Sequence, residues 1–311
     1  MTHSRAVTGD QYVLTRQASA GTVSAVITQV GAGIRRLSVN GIDIMPPYDE
    51  GVQRPYGSGI VLVPWPNRIR DGKYELDGEE MQLDLTEPDK QNAIHGLLRF
   101  TAYDVAEQTD DSVMLTATVY PQHGYPFLLD TSVRYRLVDA GLEVTHTIEN
   151  VGTGTAPTGI GTHPYFTIGD VEPDDLTVTL NCQTRFTVDE RLLPTGEVPV
   201  EGTEYDLRSG RRLGGLVLDD GFGQAVFENG VTEHTVAADD GRVVTVWGDE
   251  NFPYWQVFTT KKYPGQSTAV AIEPMTAPTD AFNTGRNVRY LAPGETFQAT
   301  WGVRADGFAA V

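Results

Sequence analysis

The chain has 311 residues, with 23 Lys plus Arg against 42 Asp plus Glu; its net charge of −19 repels nucleic acid and anionic lipid. Hydrophobic residues at 40%, charged residues at 21%, 33 Gly and 18 Pro describe a folded, turn-rich chain and exclude a disordered one. The single cysteine, Cys182, excludes an internal disulfide and a thiolate metal cluster, and the expected partner is a neutral small molecule.

Residues 1–10 lack an apolar signal core, and no apolar run approaches about 18 residues, so a cytoplasmic chain without membrane contact is expected. Period-two alternation carried by β-branched residues predicts strands over 22–30, 113–120, 142–148, 176–180, 242–247, 254–260 and 296–303. Turn dipeptides that admit positive φ stand between such runs: Asn40-Gly41, Asp77-Gly78, Ala140-Gly141 after Asp139, and Asp240-Gly241. Antiparallel hairpins follow. No capped apolar stripe of helical period runs for about 12 residues, which argues against crossover helices and hence against Rossmann or TIM-barrel architecture. Neither a fixed repeat nor a dividing linker is visible; Gly152-Thr153-Gly154-Thr155-Ala156-Pro157 reads as a loop between strands. The prediction is one all-β domain over 1–311, a large antiparallel sandwich with few or no long helices.

Functional groups in such a domain hang from strand ends and loops. The run Val63-Pro64-Trp65-Pro66-Asn67-Arg68-Ile69 holds an aromatic, an amide and a guanidinium between φ-restricting prolines. Asn67 and Arg68 are therefore candidates for hydrogen bonds to a ligand, and Trp65 for an apolar face under it, although a surface arginine beside a core tryptophan is the commoner arrangement. His95, before Gly96, lies where backbone can approach a ligand closely, although a histidine beside glycine is also a common structural arrangement. His163 is set among Gly159, Gly161, Pro164, Tyr165 and Phe166, where a desolvated imidazole keeps its proton only with a carboxylate or substrate to hold it. Asp219, in Asp219-Asp220-Gly221-Phe222, reads either as a turn or as an acceptor for ligand hydroxyls. Glu273 ends the apolar run Thr268-Ala269-Val270-Ala271-Ile272 with Pro274 behind it, as a general base of raised pKa would. His146 lies within an alternating strand, and His3, His123 and His234 have no partner in sequence. Neither His-Glu-x-x-His, a Gly-rich phosphate loop nor a Gly-x-Ser-x-Gly elbow occurs.

Taken in order from residue 66 to residue 295, these motifs resemble the aldose 1-epimerase family, the galactose mutarotases. The resemblance rests on Pro66-Asn67-Arg68-Ile69, Ile94-His95-Gly96-Leu97, Thr162-His163-Pro164-Tyr165-Phe166, Asp219 three residues before Phe222, Glu273-Pro274, and Leu291-Ala292-Pro293-Gly294-Glu295. It implies a β-sandwich with a sugar in an open cleft, acting on a free hexose such as glucose or galactose without cofactor or metal. It further implies that Glu273 takes the C1 hydroxyl proton, that His163 protonates the ring oxygen with His95 assisting, and that Arg68 and Asp219 hold hydroxyls. Many members carry Gln two residues after the glutamate and Asn after Tyr-Phe, where this chain has Met275 and Thr167. That departure bears on sugar preference. Two alternatives stand beside this reading: a hexose modified at C6 by phosphate or sulfonate, with Arg70, Lys73 and Arg99 as sources of charge, and a carbohydrate-binding domain without turnover. A monomer or homodimer is expected.

Overall fold

The computed structural model describes residues 5–19 and 21–309. Among them two large antiparallel sheets dominate. One has nine strands in the order Asp104–Gln108, Ser112–Val119, Leu129–Val138, Gly141–Asn150, Thr296–Asp306, Val243–Asp249, Val231–Ala237, Thr177–Thr179 and Arg211–Arg212. The other runs Pro194–Pro199, Cys182–Val188, Asp219–Ala225, Tyr254–Thr260, Ala269–Met275, Gly161–Thr162 and Val61–Leu62, with Tyr165–Phe166 also paired to Ala269–Met275. A contiguous cluster of buried side chains draws on both, including Tyr135, Val144 and Trp301 from the first and Phe222, Val257 and Ile272 from the second. A four-stranded sheet over Gln11–Ala18, Gly21–Thr28, Ile34–Val39 and Ile42–Met45 adds Leu14, Ala25, Ile27 and Leu37 to the same cluster.

The predicted strands all form, with ends that differ by a few residues, and the α-helix among the described residues is the single turn Ala281–Thr284. None is long and apolar enough to cross a membrane. Three of the turn dipeptides work as expected, since Asn40 and Gly41 have φ of 52° and 81°, Asp77 and Gly78 have 50° and 83°, and Gly241 has 93° between paired strands. Gly141 differs. Its φ is not positive; instead, a Cβ there would lie 1.9 Å from the Val303 carbonyl oxygen, so close approach of the neighbouring strand requires the glycine.

Two histidines are tied into this core. His146 Nε2 lies 3.1 Å from Trp301 Nε1 and 3.2 Å from Thr162 Oγ1, so it accepts the indole proton between the sheets. His234 Nδ1 accepts from the Asn181 backbone at 2.9 Å while its ring stands edge-on to Trp255. Burial lowers both to about 3. The folded value lies below the unfolded one, so the unfolded chain binds more protons as pH falls, and stability is lost from near pH 6.5 downward. Each histidine is expected to cost about 2 kcal/mol between pH 7.5 and pH 5. Urea unfolding of wild type and His146→Gln at the two pH values checks this. The variant is less stable at pH 7.5, and the gap closes by about 2 kcal/mol at pH 5; a constant gap rules the account out.

Candidate active site

Ala269–Met275 is buried along its whole length because it has strands on both edges and packed groups on both faces. Val270 and Ile272 point into the main core. On the opposite face Ala269 and Ala271 lie under Tyr165 and Tyr263, while Met275 packs against Phe186 and Tyr254. Glu273 falls between these two apolar groups, on the wall of a cavity of about 570 Å³. Alternation therefore aims it, and the small alanines beside it leave room.

His163 follows the short strand Gly161–Thr162 and faces Glu273, with Nε2 at 3.3 Å from Oε1. Its ring stacks on Tyr165 at 5.2 Å between centroids and meets the His95 ring edge-on at 5.6 Å. Burial lifts Glu273 well above the ordinary carboxylate range, Asp219 adds to the shift, and Arg68 opposes it. Burial also lowers His163 to about 4 and His95 well below its usual value. Both members of the pair thus resist charge. Carboxylate with imidazolium and carboxylic acid with imidazole have the same proton count, so a substrate can carry the pair from one to the other. Glu273 Oε2, His163 Nδ1 and His95 Nδ1 are buried without a partner in the protein, three polar atoms at one cavity.

The proline-rich run positions the remaining groups. The His95 N–H donates to Asn67 O at 2.9 Å and the Leu97 N–H to Val63 O at 2.8 Å, which clamps the 95–97 turn onto it. His95 and Gly96 have φ of 64° and 67°. Asn67 Oδ1 accepts the Arg68 backbone N–H at 2.9 Å. The Arg68 guanidinium binds Glu87 through Nε at 2.8 Å and Nη2 at 2.9 Å and lies 3.7 Å from Asp219 Oδ2. Asp219 Oδ1 accepts from Gln256 Nε2 at 2.7 Å. Burial raises Asp219, with Arg68 and Gln256 opposing.

Six of the seven residues expected from the sequence, Asn67, Arg68, His95, His163, Asp219 and Glu273, line this one cavity. Trp65 does not, and the expected apolar platform for a ligand is corrected: it is 3% exposed and packs on Tyr125 and Phe282. The prolines turn that side chain inward while Asn67, two residues on, faces the cavity. Arg68 is corrected in part, because two of its donor groups are taken by Glu87. Met275 and Thr167 are not wall residues; an amide on the wall is Gln256, cross-strand partner of Glu273. Gln256 was legible only as the polar member of Tyr254-Trp255-Gln256-Val257-Phe258. Arg54, Tyr56 and Phe258 also line the cavity and carried no signal in sequence. Among the described residues no group of three His, Cys, Asp or Glu side chains is arranged to hold a metal ion.

The aldose 1-epimerase family profile matches residues 13–304. An uncharacterized Escherichia coli K12 protein, YihR, is 34% identical over 280 residues, 89% of this chain and 88% of that one. Human galactose mutarotase is 32% identical over 174 residues, 54% of this chain and 49% of its own. In fold, a GalM/aldose epimerase homologue from C. elegans superposes with a TM-score of 0.83 at 18% identity, covering 96% of this chain and 99% of that one. A putative aldose 1-epimerase from Escherichia coli K12 gives 0.81 at 20% identity, with 96% and 99% covered.

The 95–97 turn yields a direct test. A Cβ on Gly96 would stand 2.1 Å from the Val63 carbonyl oxygen, in a left-handed conformation that L side chains resist. Gly96→Ala is expected to lower stability by about 2 kcal/mol or more. An unchanged urea midpoint would show that the turn yields freely and does not fix His95.

Proposed function

The chain belongs to the aldose 1-epimerase family and is an isomerase, and we propose that it interconverts the α and β anomers of a free aldohexose of the glucose or galactose type. The observation that carries this reading is the Glu273 and His163 pair, 3.3 Å apart at the wall of one cavity. The anomeric hydroxyl and the ring oxygen are bonded to the same carbon, so opening the ring needs a proton acceptor and a proton donor side by side. A glycoside hydrolase would instead need two carboxyl groups about 5–9.5 Å apart, with leaving group or water between them.

In the proposed reaction Glu273, as carboxylate, takes the C1 hydroxyl proton while His163, as imidazolium, gives its proton to the ring oxygen. The C1–O5 bond breaks and the aldehyde forms. Rotation about C1–C2 presents the other carbonyl face, and reclosure returns both protons with the roles reversed. Neutral His95 would orient the ring oxygen, while Asp219, Gln256, Asn67 and the remaining donor group of Arg68 would hold hydroxyls. Cys182, a buried free thiol, fits the proposed cytoplasmic setting.

A second reading concerns the sugar. Arg54 and Arg99 line the cavity with no carboxylate at ion-pair distance among the described residues. Arg54 donates to the backbone oxygens of Val30 at 2.8 Å and Arg99 at 3.0 Å. Arg70 and Lys73 are ruled out as such sources, being paired with Asp189, Asp280 and Glu80 away from the cavity. Two unmatched cations beside the acid–base pair favour a hexose with an anionic group at C6, a phosphate or sulfonate.

Glu273→Gln and His163→Asn are each expected to lower kcat by roughly 10²–10⁴. Polarimetry on fresh α-glucose and α-galactose reads this, and equal rates for wild type and both variants would overturn the assignment. Sugar binding without faster mutarotation in wild type would favour a carbohydrate-binding domain. Glucose 6-phosphate turnover separates the two substrate readings. If an anionic group is used, Arg99→Met should lower kcat/KM on glucose 6-phosphate by roughly 10-fold or more while leaving glucose unchanged.

A further inference from the structure

Arg68 is held from behind. Its two-pronged contact with Glu87 engages Nε and Nη2, while Nη1 lies 3.4 Å from Asn67 Oδ1 and Nη2 3.7 Å from Asp219. Glu87 is not a wall residue. It lies in the 83–91 connection and is fixed there by several bonds. Its N–H donates to Asn92 O at 3.0 Å, and the Asn92 N–H returns to Glu87 O at 3.2 Å. Asn92, wholly buried, donates its side-chain amide to Glu87 Oε2 at 3.2 Å and to Arg191 O at 3.1 Å. Arg191 in turn reaches Asn92 Oδ1 at 3.3 Å and Lys90 O at 2.9 Å. So many fixed partners make Glu87 a rigid counter-charge.

The charge matters because Arg68 is the cation that acts on Glu273. The groups around Glu273 come from every neighbouring element: Arg68 on Arg68–Arg70, Asp219 on Asp219–Ala225, neutral Gln256 on Tyr254–Thr260, and His163, His95 and Tyr165 opposite. A carboxylate gripping the guanidinium at Nε and Nη2 offsets much of its field at Glu273 and fixes its direction. Without that grip a buried guanidinium would turn to the nearest remaining carboxylates, Asp219 and Glu273.

We propose that Glu87 is a positioning residue for the reaction, holding the Arg68 guanidinium back so that Glu273 remains a proton acceptor and Asp219 remains open to sugar hydroxyls. The proposal rests on the acid–base reading above. Loss of the Glu87 charge leaves more positive field at the pair, makes every protonation there harder, and moves both limbs of the rate profile to lower pH.

The test compares Glu87→Gln, Arg68→Gln, the double variant and Glu273→Gln by polarimetry on D-glucose across pH, alongside thermal unfolding. Glu87→Gln is expected to lower kcat by roughly 10–100-fold and to shift both limbs to lower pH. Added to Arg68→Gln, it should lower kcat no further, because the positioning acts through Arg68. Wild-type kinetics in Glu87→Gln, or an equal loss in both backgrounds, overturns the positioning role. An active Glu273→Gln instead overturns the base assignment. If Glu87→Gln does not fold, Glu87→Asp supplies the reading: it keeps the charge but shortens the grip on Nε and Nη2, so kcat should fall, and wild-type kinetics refute the proposal.

Discussion

A carboxylate and an imidazole set 3.3 Å apart away from water share a proton on terms that the surrounding protein dictates. Burial pushes Glu273 up and His163 down, so both shifts favour the uncharged pair, carboxylic acid with imidazole. Asp219 pulls the balance one way and Arg68 the other. The proposed ring opening starts from the charged pair, so the bound sugar must supply the stabilisation that burial withholds. Much of the cavity architecture keeps that balance fixed.

The scaffold does so with a strand enclosed on both faces. Val270 and Ile272 anchor Ala269–Met275 in the main core, and the other face is closed by tyrosines at one end and by Phe186, Tyr254 and Met275 at the other. Glu273 is the polar break in that cover. The opposing groups arrive on short segments whose backbones are constrained: His95 in a left-handed turn bonded to Asn67, and His163 between two short strands with its N–H on Ile60 O at 3.1 Å and its carbonyl accepting from Gly59 at 2.8 Å. Such fixed geometry lets a few side chains act without reorganising.

The strands and the all-β class were legible because period-two alternation survives wherever one face of a strand meets the core. The pattern is visible in the alternately buried residues of Gly141–Asn150. Site residues with unusual flanks were legible too: glycine after His95, proline after His163, and an apolar run before Glu273 all mark backbone that meets a cavity. Trp65 was misread because prolines reveal that a loop is stiff but not which way its side chains point. Glu87 and Gln256 stayed hidden for a different reason. Their roles depend on partners 19 and 37 residues away, Arg68 and Asp219, through contacts that sheet register and loop closure create.

The cavity wall draws on residues near 54, 68, 95, 163, 219, 256 and 273, and no two of Arg68, His163 and Glu273 belong to one hairpin. Each local hairpin can form from its own turn, but none of them contains a working fraction of the site. The cavity is therefore a property of one completed sheet and the loops that close over its outer face. A chain with any single hairpin formed would have several of its strands and no cavity.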